Sequence, residues 1–259
     1  MQNDIITLVF IGDVIGKPGR EAVVRYLKGV DADFKVINGE NLAGGLGITP
    51  NVADEMLVSG ADAITTGNHV WKKKEIIQYI NEESRLVRPL NYPAGTPGFG
   101  YTLLKRNLKQ LYVANIEGRT FMNPLICPFR AMEEFLASAK EGVPVFVDFH
   151  AEATSEKIAM GWYLDGKVSA LVGTHTHVQT SDERILPNGT GYITDAGMTG
   201  PANSVIGMDK EAILERFLTQ LPQKYEVAKG DNEVQGVRIQ IDVKSKRCIR
   251  IERIKEKVA

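Results

Sequence analysis

The sequence predicts an α/β protein with mixed sheets, built as one domain over residues 1–259. Short apolar runs rich in β-branched residues recur along the chain, each ends in glycine or polar residues, and a helix-like stretch often follows. Apolar residues make up 43% of the 259 residues, which is enough to bury a substantial core. A chain of this length is suited to one large domain, and it contains no low-complexity linker or solenoid repeat.

The first half of the chain contains three strand–helix units. Pro18 follows the first strand where a first helical turn tolerates proline, and Thr49-Pro50 is typical of the residues that open a helix. The predicted elements are, in order, a strand over 6–11, a helix over 20–27, a strand over 34–37, a helix over 49–58, a strand over 61–66 and a helix over 71–80.

The middle of the chain, residues 85–128, is richer in proline, asparagine and glycine. It contains two short strands, over 101–104 and 111–116, whose spacing favours antiparallel pairing. The apolar runs then return. The predicted elements are a helix over 129–140, strands over 143–149, 168–172 and 192–194, a helix over 210–221, and strands over 234–243 and 247–254.

Charge, hydropathy and cysteine content exclude several classes of protein. The chain has 31 Lys and Arg against 32 Asp and Glu, a net charge of −1, so we expect no stable complex with nucleic acid. No apolar run approaches the roughly 20 residues needed to cross a bilayer. Cys127 and Cys248 are too few for a disulfide scaffold, and the N-terminus lacks the basic region of a signal peptide. We therefore expect a cytoplasmic protein with free thiols.

Polar side chains that can bind metal follow the predicted strands. The four histidines, two carboxylates and two amides at these strand ends are His69, His150, His175, His177, Asp13, Glu40, Asn41 and Asn68. Residues just past the carboxyl ends of strands converge on one edge in α/β sheets, where ligands bind. The sequence therefore predicts that five separate segments bring these donors together.

Each of these residues alone has an ordinary interpretation, because a histidine after a strand is often a hydrogen-bonded turn residue and Asp, Asn and Gly favour turns. The pair His175-x-His177 is more specific, since residues i and i+2 of an extended segment point the same way. Eight nitrogen and oxygen donors exceed what one ion needs, so the pattern favours two metal ions. The lack of thiolate favours iron or manganese, and zinc is compatible with it.

Five motifs resemble, in their order along the chain, those of the calcineurin-like metallophosphoesterases. They are Gly12-Asp13, Gly39-Glu40-Asn41, Gly67-Asn68-His69, His150 and Gly173-Thr174-His175-Thr176-His177. The longer strings over 10–20, 148–157 and 173–180 resemble the bacterial YmdB-like subgroup. This resemblance spans nearly the whole chain. It implies a four-layer α/β/β/α sandwich with mixed sheets, forming a single metallophosphoesterase domain over 1–259.

The resemblance also implies an activity, a phosphodiesterase that hydrolyses 2′,3′-cyclic nucleotides or cyclic AMP. In the family pattern a hydroxide that bridges two metal ions attacks phosphorus, and His69 is the proton donor to the leaving group. Carried over by position, one ion has the ligands Asp13, Glu40, Asn41 and His177. The other has Glu40, Asn68, His150 and His175, with Glu40 bridging.

Two other functions use the same residues. One is a phosphomonoesterase or 5′-nucleotidase, since the sequence does not define the leaving group. The other is a regulator that binds a nucleotide or RNA without catalysis. The sequence is also compatible with a homo-oligomer, and Glu152 and Glu156 either brace metal-bound imidazoles or are solvated carboxylates at a helix start.

Overall fold

Two β-sheets lie at the centre of the molecule. The computed structural model describes residues 4–258, and in it the first sheet has eight strands and the second has six. The strands of the first sheet are β1 (Ile5–Ile11), β2 (Asp13–Val14), β3 (Phe34–Asn38), β4 (Ala63–Thr65), β5 (Leu86–Val87), β12 (Met198–Pro201), β13 (Asn232–Asp242) and β14 (Cys248–Val258). Those of the second are β6 (Tyr101–Arg106), β7 (Lys109–Glu117), β8 (Val145–His150), β9 (Ala170–Thr174), β10 (Arg184–Ile185) and β11 (Gly191–Ile193).

Both sheets are mixed, as predicted. In the first sheet, β1, β3, β4 and β5 are parallel neighbours, and β13 pairs antiparallel with β1. In the second sheet, β7, β8, β9 and β11 are parallel, with β6 and β10 antiparallel at the edges. The carboxyl ends of the parallel strands of each sheet therefore share one edge.

Six helices lie among residues 4–258: α1 (Gly16–Gly29), α2 (Pro50–Val58), α3 (Ile76–Tyr79), α4 (Pro128–Ser138), α5 (Thr154–Leu164) and α6 (Lys210–Thr219). Side chains of β1 alternate between two cores, as a pleated strand requires: Val9 packs with α1 and α2, whereas Phe10 packs between the sheets. The Phe10 ring lies 5.0 Å from that of Phe146 on β8. A third core packs the second sheet against α4 and α5. The predicted four-layer α/β/β/α sandwich is confirmed.

One prediction about a helix was wrong. The helix predicted over 71–80 is reduced to the single turn of α3, with turns before it. The helix start expected near Glu152 and Glu156 corresponds to α5, for which no bounds were predicted; Gly161 lies in its interior although glycine is a poor helix former. A Cβ on Gly161 would lie 2.7 Å from the ring of Tyr192, so this glycine allows α5 to pack closely on β11.

Within residues 4–258, no helix is long and apolar enough to span a membrane. Cys127 and Cys248 are both free, as predicted, and Cys248 is buried between the sheets.

Candidate metal centre

The ends of five strands deliver the predicted donors to one place. Asp13 follows β1, residues 40–41 follow β3, residues 68–69 follow β4, His150 ends β8, and residues 175–177 follow β9. Ligand atoms form two groups, each with all atoms within 4.8 Å of one another: Glu40, His150 and His175 in one, and Asp13, Glu40 and His177 in the other. Glu40 belongs to both groups, so the structure places it between two candidate ion positions.

The first group is centred on His150, whose side chain is fully buried. Its Nε2 atom lies 3.1 Å from Glu40 Oε2, 3.1 Å from His175 Nδ1 and 3.0 Å from Asn68 Oδ1. Two imidazole nitrogens, a carboxylate oxygen and an amide oxygen therefore face one another, which is a donor set suited to iron, manganese or zinc.

The second group contains a carboxylate oxygen that lacks a hydrogen-bond partner. Asp13 is fully buried, and its Oδ2 accepts a hydrogen bond from the backbone N–H of His175 at 3.0 Å, but its Oδ1 has no partner. This Oδ1 lies 4.0 Å from His177 Nε2. The amide nitrogen of Asn41 lies 3.3 Å from the same Nε2 and 3.0 Å from Glu40 Oε1, so Asn41 would present its oxygen here only after its amide turns over.

The residues present fit metal ions. A buried, unpartnered carboxylate oxygen is costly unless a cation or donor approaches it, and Asp13 Oδ1 is such an atom. Space for a ligand is kept by Gly67, since a Cβ there would lie 2.3 Å from His150 Nε2 and 2.4 Å from Glu40 Oε2. Donor chemistry and space therefore agree with two ions that share Glu40.

The charges of the donors reinforce this conclusion. Burial opposes ionisation of His150, but the Glu40 carboxylate outweighs burial and raises the pKa of His150 to about 9. Burial, together with the charge of His150, lowers the pKa of His175 to about 3. Burial raises the pKa of Asp13, whereas His150 holds the pKa of Glu40 well below its ordinary value in spite of burial. A proton on His150 therefore compensates the carboxylates, and a metal ion would replace it, because a ligating imidazole must be neutral.

The second nitrogen of each imidazole in the two groups has a partner outside the centre. His150 Nδ1 lies 2.9 Å from the Thr174 hydroxyl, which donates to buried Asp148 at 2.7 Å. His175 Nε2 contacts Glu152 at 2.9 Å, and His177 Nδ1 lies 3.0 Å from the carbonyl oxygen of Ile206. Such contacts fix which nitrogen faces the metal.

Of the two glutamates considered from sequence, Glu152 therefore contacts a predicted ligand and Glu156 does not. Glu156 instead accepts hydrogen bonds from the backbone N–H groups of Arg119 and Thr120. Thr174 and Asp148 were missed by sequence reasoning, because nothing in their sequence context indicates that hydrogen bonds connect His150 to Thr174 and Thr174 to Asp148.

His69 differs from the other three histidines in its contacts. Its side chain is 26% exposed, and it is in neither group of candidate ligands. Its Nδ1 lies 2.8 Å from Asn41 Oδ1, and its backbone N–H donates to Glu40 Oε2 at 3.3 Å. His69 therefore lies beside the candidate ion positions with one ring nitrogen engaged by a neighbouring amide.

Glu117 is a further buried carboxylate at this edge, and sequence reasoning missed it. It ends β7 and pairs in register with His150 on β8. Both carboxylate oxygens are buried, and burial raises the pKa of Glu117 to about 7. The signal that could have found it is the one used for the other residues, a polar side chain immediately after an apolar strand.

Comparison with known proteins identifies the family. Residues 9–254 match the sequence model of the YmdB-like proteins. The chain belongs to the YmdB-like family. It is 53% identical over 252 residues to a 2′,3′-cyclic-nucleotide 2′-phosphodiesterase of Bacillus subtilis, covering 95% of this chain and 96% of that protein.

Solved structures agree with this assignment. A protein of Thermus thermophilus superimposes with a TM-score of 0.93 at 41% identity, covering 98% of this chain and 100% of that one. A phosphatase of Mycoplasma pneumoniae superimposes with a TM-score of 0.91 at 34% identity, covering 98% and 94%. The predicted YmdB-like resemblance, the metallophosphoesterase fold and the assignment as a hydrolase are confirmed.

Proposed function

We propose that this YmdB-like chain is a metal-dependent phosphodiesterase that hydrolyses 2′,3′-cyclic nucleotides at the 2′ ester bond and releases 3′-nucleotides. The observation that carries the proposal is that Glu40 is shared between two donor groups, with partly exposed His69 beside them. The substrate class is the one named for the Bacillus subtilis relative. We further propose that residues 1–259 act as one domain.

The ligands would be divided between two positions. One ion would be held by Asp13, Glu40, Asn41 and His177. The other would be held by Glu40, Asn68, His150 and His175. Ions bound there would neutralise charge on the phosphate oxygens and lower the pKa of a water molecule, and the donor set favours iron or manganese.

His69 would supply the proton that the reaction requires. The attacking water gives up a proton to solvent as its oxygen bonds to phosphorus, the bond between phosphorus and O2′ breaks, and O2′ takes a proton from His69. The Asn41 amide lies against the Nδ1 of His69, 2.8 Å away in this structure and beside it in either orientation of the amide, so Nε2 is the nitrogen that can approach the leaving oxygen. The partial exposure of the ring allows it to exchange protons with solvent after each turnover.

The proposal is tested by assaying four phosphate esters side by side with Mn²⁺ or Fe²⁺: 2′,3′-cyclic AMP, 3′,5′-cyclic AMP, 3′-AMP and 5′-AMP. The expected result is preferred hydrolysis of the 2′,3′-cyclic ester, with phosphorus NMR identifying 3′-AMP as the product. Preferred hydrolysis of 5′-AMP would indicate a 5′-nucleotidase instead. Tight nucleotide binding without turnover by the metal-loaded protein would indicate a regulator.

A further inference from the structure

The turn that carries two of the candidate ligands has an unusual backbone. His175 has φ 99° and His177 has φ 64°, both in the left-handed region that residues other than glycine rarely adopt. Such conformations cost energy and persist only where the surrounding structure enforces them. The residue between the two histidines is Thr176, so its contacts show what enforces the turn.

Thr176 is fixed by one buried carboxylate. Its backbone N–H donates to Asp195 Oδ2 at 3.2 Å and its hydroxyl donates to the same oxygen at 2.7 Å. The other oxygen, Oδ1, accepts from the backbone N–H of Gly197 at 2.8 Å. Asp195 is fully buried, so its position is set by these partners and not by solvent.

A lysine from α5 completes this arrangement. Lys157 is fully buried, and its Nζ lies 2.7 Å from Asp195 Oδ2. Its side chain passes under the end of β9, where a Cβ on Gly173 would lie 3.0 Å from Lys157 Cδ and 1.8 Å from the carbonyl oxygen of Thr194. The glycine before the His-x-His turn therefore leaves room for the lysine and for the chain that carries Asp195.

We propose that Lys157, Asp195 and Thr176 are positioning residues that hold the strained His-x-His turn and thereby place one histidine in each donor group. His175 Nδ1 faces the first group and His177 Nε2 faces the second. Lys157, Asp195 and Thr176, here called the anchor of the turn, therefore set the positions of both histidines. The inference rests on the proposed function, because it treats the two histidines as metal ligands.

The buried charges of Lys157 and Asp195 are explained better by a role in positioning the His-x-His turn than by their contribution to the stability of the fold. A buried ion pair contributes little net stability relative to well-packed apolar residues, because both charges must leave water. Here the carboxylate holds a hydroxyl, two backbone N–H groups and an ammonium in one place. Four donors that converge on one side chain define the path of the turn more tightly than apolar packing would.

The test removes the Thr176 hydroxyl and measures metal binding, not activity. Affinity for Mn²⁺ is determined by equilibrium dialysis for wild type, Thr176→Val and Thr176→Ser. We expect Thr176→Val to lower affinity about 10- to 100-fold, the usual effect of removing a contact behind a metal ligand, and Thr176→Ser to restore it. Thr176→Ala, which removes the same hydroxyl with less bulk, replaces Thr176→Val if that variant does not fold.

Thr190→Val is the matched control. Thr190 is a buried threonine whose hydroxyl donates to the carbonyl oxygen of Val168 at 2.7 Å, away from the donor groups. We expect this variant to lower the melting temperature of the metal-free protein and to leave Mn²⁺ affinity unchanged. Thr176→Val should show the reverse: its Mn²⁺ affinity falls, and its melting temperature falls less than that of Thr190→Val.

The inference would be overturned if Thr176→Val bound Mn²⁺ with wild-type affinity, or if Thr176→Val and Thr190→Val lost equal amounts of Mn²⁺ affinity. A wild-type protein that binds no Mn²⁺ would also overturn it. The proposed function fails separately: if wild type binds two ions but hydrolyses no 2′,3′-cyclic nucleotide, while Thr176→Val loses affinity, the substrate is wrong and the anchor stands.

Discussion

Gly67 and His150 approach so closely that any side chain on Gly67 would occupy the space in front of the imidazole. A Cβ built there lies 2.3 Å from His150 Nε2, which is nearer than real Cβ contacts occur. Gly67 ends no helix and has no positive φ that would require glycine. Its lack of a side chain is therefore explained by the donor group that it faces.

Gly67→Ala is accordingly expected to abolish metal binding at the His150 group while the protein still folds. The added methyl group competes with the ion for the space between His150 and Glu40. Elemental analysis after metal loading should give at most one ion per chain. Gly29→Ala, at the end of α1 with nothing within 4 Å of the added carbon, is the control and should retain two. Two ions in Gly67→Ala would contradict the assignment.

His69→Ala is expected to lower kcat for 2′,3′-cyclic AMP by about 100-fold or more, because proton donation to the leaving oxygen is lost. Metal content should stay at the wild-type value, since His69 is in neither donor group. Steady-state kinetics and elemental analysis on the same preparation check both statements. Loss of metal would show that His69 is a ligand and not the proton donor.

Glu40→Gln is expected to reduce metal content below one ion per chain, because Glu40 is common to both donor groups and its charge is lost from both. Glu152→Gln provides the comparison, since Glu152 contacts His175 only on the side away from the donors. It should weaken metal affinity about 10- to 100-fold without abolishing it. Full occupancy of two sites in Glu40→Gln would rule out a bridging role.

The raised pKa of Glu117 predicts how the stability of the protein depends on pH. Burial raises its pKa from 4.5 to about 7 in the folded protein. The unfolded chain therefore releases this proton at lower pH than the folded protein, and the contribution of Glu117 to the stability of the metal-free protein falls as pH rises from 4.5 through 7. The full loss is about 3 kcal/mol, since one pKa unit corresponds to about 1.4 kcal/mol.

Glu117→Gln removes this titration. In EDTA, the variant should be more stable than wild type at pH 8 and show a much smaller gain at pH 5, as measured by urea unfolding at each pH. An equal difference at both pH values would mean that Glu117 is not titrating in the folded protein over this range.

The strand ends were predictable from sequence because apolar runs define the strands and the polar residue after each run is visible. The same rule would have found Glu117, but residues 101–104 and 111–116 were interpreted as a hairpin. That pairing is present, yet β7 is also parallel to β8, which brings Glu117 beside His150. Parallel pairing between distant segments leaves no local signal.

The anchor of the His-x-His turn could not be predicted for a different reason. A lysine on a helix is ordinarily solvated, and nothing local distinguishes Lys157 from an exposed one. Its burial depends on how α5 packs and on Asp195, which lies 38 residues further along the chain. Tertiary packing, and not sequence pattern, makes these residues partners.

The donor groups take their members from opposite layers: Glu40 follows a strand of the first sheet, and His150 ends a strand of the second. The centre thus exists only where the two sheets hold a fixed offset, and the aromatic contact of Phe10 with Phe146 helps to set that offset. A slip of the two sheets by about 1 Å would be several times the roughly 0.2 Å by which metal–ligand distances vary. Interior residues remote from the donor groups thus help to set the geometry of the candidate ligands.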